Sequence, residues 1–146
     1  MKKRAGAKHV VQKGEYELLA TFRYSLRKFF RFSEEAAQAA GLTPQQHQAL
    51  LAIKGYPGRD QITIGELAER LQIMHHSAVG LADRLCEEGL LRRAQARVDR
   101  RQVYLTLTLR AETLLAKLAA SHREQLRRLG PEIKSTLSKL DANGKA

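Results

Sequence analysis

Residues 63–95 read TIGELAERLQIMHHSAVGLADRLCEEGLLRRAQ, and residues 96–108 continue ARVDRRQVYLTLT. Thr63 and Glu66 stand at the T-x-x-E spacing of a capping box, in which each side chain satisfies a backbone N–H that the first helical turn leaves open. The helix they start places Ile64, Leu67, Ala68 and Leu71 on one face, the i, i+3, i+4, i+7 stripe of a helix packed on a core. A second helix, from His75 to about Glu88, repeats the stripe with Ala78, Leu81, Ala82 and Leu85. Gly89 supplies the left-handed stop. Two short helices so closely joined must cross steeply, as in a helix-turn-helix.

The segments after the second helix are strand-like, Leu90–Gln95 and Gln102–Thr108, with Val103, Leu105 and Leu107 alternating with Tyr104, Thr106 and Thr108. Between them lies Ala96-Arg97-Val98-Asp99-Arg100-Arg101. Folding a hairpin tip requires no cation, and three crowded arginines repel one another unless phosphates supply the counter-charge. Helix, helix and basic hairpin make a winged helix-turn-helix, and duplex DNA is the expected partner.

The run LADRLCEEGLLRR, then VDRRQVYLTLT and a long helix, resembles the multiple-antibiotic-resistance regulator (MarR) family. The matching elements are Asp83-Arg84-Leu85, Gly89-Leu90, Arg93, Asp99-Arg100-Arg101 and Leu107-Thr108. Val79 and Gly80 depart from the family's frequent polar residue and arginine, Ala96 from a wing acid, and Ala111 from a glycine. The resemblance implies a mainly α fold with a small β-wing. In it, terminal helices at about 1–40 and 109–146 dimerise and the winged module spans about 43–108, all in one domain of residues 1–146. It also implies a homodimeric repressor and small aromatic effectors held between the dimer helices and the DNA module.

The chain has 146 residues, is 43% hydrophobic and carries a formal charge of +11. That is enough chain for one cored domain, and the charge suits a polyanionic partner. Ribosomal and membrane-surface proteins can be as basic, so charge alone separates nothing. Cys86 is the single cysteine, which excludes an internal disulfide and fits a reducing cytoplasm. No apolar run reaches membrane-spanning length, and the N-terminus is too polar for a signal peptide, so a soluble cytoplasmic protein is expected.

Before the module, Lys2, Lys3, Arg4, Lys8 and Lys13 read as a solvated basic tail, with an arm that adds phosphate contacts as the alternative. Glu15 to Ala40 is predicted helical, with Leu19, Phe22, Leu26, Phe29 and Phe30 on one side and Arg23, Arg27, Lys28 and Arg31 on the other. Thr43-Pro44-Gln45-Gln46 caps the next helix, in which His47 reads as an ordinary surface or half-buried histidine. Ile62-Thr63-Ile64 is suited to pair with the wing as a third strand. Beyond the wing, Thr108 caps a helix expected to run to about Leu129, to break at Gly130-Pro131 and to resume with Ile133, Leu137 and Leu140. Leu126, Leu129, Ile133 and Leu137 are apolar residues that a second copy of the chain would cover.

No phosphate loop, paired-cysteine motif, H-E-x-x-H or nucleophile elbow occurs, so an enzyme, a metal site and a cofactor all lack support. His75 and His76 point about 100° apart on a helix and cannot easily share an ion. With the apolar stripe inward, His75, His76 and Ser77 head the groove-facing half, Val79 can meet a thymine methyl, and Gly80 allows close approach. Arg84 lies on the same DNA-facing side of that helix, Arg97, Arg100 or Arg101 should reach the minor groove or its phosphates, and Asp99 is expected to pair with Arg101 to set the tip. Met74 is a poor N-cap. Two copies would read a palindromic operator with half-sites about 34–36 Å apart. A sequence-tolerant nucleic-acid binder or a protein adaptor would share the charge but not a specificity ratio.

Overall fold

The computed structural model describes residues 10–96 and 99–144. Its order is α1 (Lys13–Ala39), α2 (Pro44–Lys54), β1 (Gln61–Ile62), α3 (Ile64–Leu71), α4 (His75–Glu87), β2 (Leu91–Gln95), β3 (Val103–Leu107) and α5 (Leu109–Asn143). The three strands form one antiparallel sheet with β3 in the middle, β1 and β2 flanking it. Two units divide the chain. One spans Phe32–Arg123, and the other joins the described residues up to Arg31 with those from Glu124 onward. The boundary thus cuts α1 and α5 internally. Arg97 and the basic tail through residue 9 lie outside the described residues.

Within Phe32–Arg123 the local signals of the sequence are realised. Both capping boxes close, Thr43 with Gln46 and Thr63 with Glu66, and Pro44 occupies the first turn of α2. The stripes of α3 and α4 meet a common core. Leu67, Ala78, Ala82 and Leu85 have no exposed surface, and Leu81 is 1% exposed, packed with Leu50, Ile53, Ile62 and Leu105. Ile62 and Gln61 pair with Leu105 and Thr106, so the short β-branched stretch does add the third strand. Gly89, at φ +70, ends α4, and the Leu90 N–H returns to the Leu85 carbonyl at 2.9 Å. Gln72 takes the equivalent left-handed position after α3, with its side-chain amide donating to the Glu69 carbonyl at 2.7 Å. That contact offsets part of the cost, about 1 kcal/mol or more, of a non-glycine residue there.

The expected break at Gly130-Pro131 does not occur. Helix α5 is continuous, with Pro131 inside it. A proline removes one helical N–H and crowds the carbonyl four residues earlier. That carbonyl belongs to Arg127, and both Arg127 and Pro131 are exposed, so water can take the orphaned acceptor. The position of the proline on the helix face, and not its presence, decides the outcome.

His47 departs from its reading as a surface residue. It is 3% exposed, and its Nδ1 has no hydrogen-bond partner. Its ring lies 4.9 Å from that of His122. The His122 Nδ1 is 2.6 Å from the Leu118 carbonyl, its Nε2 is 2.8 Å from the Ser33 hydroxyl, and Phe32 meets the ring edge-on at 5.3 Å. Burial, and then the neighbouring His122, lower the pKa of His47. The unfolded chain, with an ordinary histidine near 6.5, therefore takes up this proton first, and stability falls as pH drops below about 6.5. We expect wild-type melting temperature to fall more steeply from about pH 7 to pH 5 than that of His47→Phe, in which position 47 no longer titrates. Parallel curves would remove His47 from the acid response.

Candidate nucleic-acid interface

Helix α4 owes its orientation to its apolar stripe. With Ala78, Leu81, Ala82 and Leu85 inward, His75, His76, Ser77 and Arg84 are exposed and Val79 and Gly80 are half-buried. A Cβ added at Gly80 would meet nothing within 4 Å, so the chain leaves that part of the outer face open. Met74 occupies the N-cap without a side-chain hydrogen bond, and it is 67% exposed. The first backbone N–H groups of α4 therefore have no cap, and they sit at the positive end of the helix dipole. An uncapped start beside two histidines and a serine presents donors for phosphate or base edges.

The far end of α4 is fastened to its surroundings. Arg93 of β2 makes an ion pair with Asp83, linking the wing to the helix. Gln46 of α2 donates to the Glu88 carboxylate at 3.0 Å. Arg110 donates to the Glu88 carbonyl at 2.7 Å, and the Thr108 hydroxyl donates to the Gly89 carbonyl at 2.8 Å. Thr108 also caps α5 by accepting the Ala111 N–H at 3.3 Å. Cys86 lies half-buried beside this end, and burial pushes its thiol pKa up. Among the described residues, no group of three His, Cys, Asp or Glu side chains is placed to hold a metal.

At the wing tip Asp99 works through the main chain. Its carboxylate accepts the backbone N–H of Arg101 at 3.0 Å, and the Gln102 N–H donates back to the Asp99 carbonyl at 3.0 Å. The pairing expected between Asp99 and the Arg101 side chain is thus replaced by an Asx-type turn. That leaves the side chains of Arg100 and Arg101 exposed. The fourth wing candidate, Arg97, is not among the described residues.

A side-chain cluster between α2 and the sheet escaped the sequence reading. Arg59 lies 4.5 Å from the ring centre of Tyr56 and 5.7 Å from that of Tyr104, and it makes an ion pair with Glu66. Arg70 stacks on Tyr56 as well, at 4.8 Å. The stretch GYPGR signals only a turn. Nothing in its spacing tells which aromatic rings its arginine will meet.

The MarR family model matches residues 40–102, from just after α1 to the wing tip, ending before β3. Over those residues the chain is similar to the MarR family. A relative from Bacillus subtilis, the HTH-type transcriptional repressor MdtR, is 28% identical over 96 residues, which cover 63% of this chain and 60% of that protein. The chain therefore matches less than two thirds of that relative's length. Among solved structures, AbsC, a MarR family transcriptional regulator from Streptomyces coelicolor, superposes with a TM-score of 0.72 over 93% of each chain at 22% identity. A MarR family protein from Bacillus stearothermophilus gives 0.75 over 94% of this chain and all of that one, at 18% identity. A MepR mutant from S. aureus, solved bound to an oligodeoxyribonucleotide, gives 0.64 over 88% of this chain and 96% of that one at 19% identity. At these identities the structures establish the shared MarR fold.

The opening at Gly80 has a measurable consequence. A glycine inside a helix costs roughly 0.8–1.0 kcal/mol relative to alanine, and here the added methyl has free space. Gly80→Ala should therefore raise the free energy of urea unfolding by up to about 1 kcal/mol. A loss of stability would mean that the outer face of α4 is covered in the folded protein.

Proposed function

We propose that this chain is a sequence-specific transcriptional regulator of the MarR family that binds duplex DNA as a homodimer and represses from a palindromic operator. The observation that carries this reading is the uncapped, polar start of α4 on the same module as an arginine-bearing wing. His75, His76 and Ser77 enter the major groove, Val79 and Gly80 permit close approach to base edges, and Arg84, Arg97, Arg100 and Arg101 neutralise phosphates. That MdtR is described as a repressor, and that a MepR mutant was solved with an oligodeoxyribonucleotide, supports the same assignment.

The dimer seam is assigned to the terminal helices. Leu126 and Leu137 of α5 are 44% and 47% exposed, and α1 exposes Tyr16, Leu19, Tyr24 and Phe30. Ile133 is half-buried, whereas Leu129, expected to need a second copy as cover, is only 8% exposed because its own chain packs around it, so the seam rests on Leu126, Ile133 and Leu137. Among the described residues no helix is long and apolar enough to cross a membrane, so a second copy is the simplest cover for these side chains. A small aromatic effector that favours one spacing of the two modules would release DNA by population shift.

Base reading and phosphate binding separate by salt. Arg100→Ala should weaken binding to a selected duplex and to random duplex alike, and should lower the slope of log affinity against log salt by about one. Ser77→Ala or His76→Ala should cost about 1–3 kcal/mol on the selected duplex and leave random binding nearly unchanged. Equal losses on both duplexes for all three variants would make the chain a sequence-tolerant binder.

A further inference from the structure

The wing is a ribbon with little support beyond its root. β1 pairs only with Leu105 and Thr106 of β3. Beyond that point the hairpin continues as two strands, Tyr104 opposite Ala94 and Val103 opposite Gln95. A two-stranded ribbon is marginally stable by itself in water. Tyr104 is where the unsupported part begins, and its ring is the one that Arg59 reaches at 5.7 Å.

Arg59 is held by groups from three elements of the module. Tyr56, in its own turn after α2, stacks at 4.5 Å, Tyr104 comes from β3, and Glu66 from α3 completes an ion pair. The other Glu66 oxygen accepts the Thr63 N–H at 3.0 Å, so the same carboxylate is fixed by the start of α3. The Arg59 and Glu66 side chains are 35% and 22% exposed, which limits the screening of their pairing by water. A planar guanidinium can stack on rings and fork to a carboxylate together, and an ammonium cannot. An arginine so occupied has little left for a phosphate.

We propose that Arg59 is a positioning residue for duplex binding: through Tyr104 and Glu66 it fixes the wing ribbon relative to α3 and hence to the helix pair. This rests on the DNA-binding reading above. Without the brace the ribbon samples other angles, and apparent affinity falls by the fraction of molecules left in the competent one.

The test uses the full chain with Arg59→Lys, which keeps the charge, and Arg59→Gln, which removes it. Both should weaken binding to the selected duplex about tenfold, as expected if the competent fraction falls to about a tenth, with the salt slope unchanged. In the free protein, amide exchange at residues 94–95 and 103–104 should quicken in both variants, while α4 keeps its protection. Tyr104→Leu should reproduce the loss, and combining it with Arg59→Lys should add little, since both act through one contact. Wild-type affinity in Arg59→Lys together with a slope lowered by about one in Arg59→Gln would make Arg59 a phosphate contact and overturn the proposal. Unchanged exchange in the ribbon would overturn it as well. If the wild-type chain binds no duplex, the DNA reading fails, and the exchange data still decide whether Arg59 holds the ribbon.

Discussion

Everything proposed for this protein depends on the burial of one helical stripe. Ala78, Leu81, Ala82 and Leu85 are removed from water together, against Leu50, Ile53, Leu67 and Leu105. Burying leucines of this kind contributes about 1.5–3 kcal/mol each, which far exceeds the worth of any surface contact nearby. The Asp83–Arg93 ion pair, with side chains 42–50% exposed, is worth under about 1 kcal/mol by comparison. Packing therefore chooses which face of α4 looks outward, and the polar contacts refine its angle. His75, His76, Ser77 and Arg84 are presented to solvent because the stripe permits no other rotation.

A second constraint is electrostatic. The chain carries 26 basic and 15 acidic side chains, and several of its acids near the module are already engaged. Glu66 holds Arg59, Asp83 holds Arg93, and Glu88 receives Gln46. Asp99 spends its carboxylate on the backbone of Arg101. The wing arginines at 100 and 101 are thus left as exposed cations while acids elsewhere stiffen the scaffold. Such a distribution suits an external polyanion better than an acidic protein partner, for which the uncapped start of α4 would have no use.

The winged module was legible in the sequence because its signals are local. Capping boxes at Thr43 and Thr63, the stripes of α3 and α4, the stop at Gly89 and the strand alternation all act over a few residues, and each is realised. What was misread depends on tertiary surroundings. Pro131 fits inside α5 because it and Arg127 face water. His47 is buried with its ring against His122, which Ser33 of α1 holds in turn, so the groups that enclose it come from parts of the chain far apart in sequence. The candidate site divides in the same way. The outward residues of α4 follow from periodicity, whereas the role of Asp99 and the whole Arg59 cluster follow from contacts that no spacing announces.

The proposed function requires that two copies of this module read one duplex specifically. Its most direct test is selection from a random duplex pool by the full chain at physiological salt, followed by sequencing of the bound fraction. The expected product is an inverted repeat whose half-sites are centred about one helical turn, ~34–36 Å, apart. The enriched duplex should be bound at least about a thousandfold more tightly than random sequence. A pool that stays random after repeated rounds, with affinity set by salt alone, would contradict it.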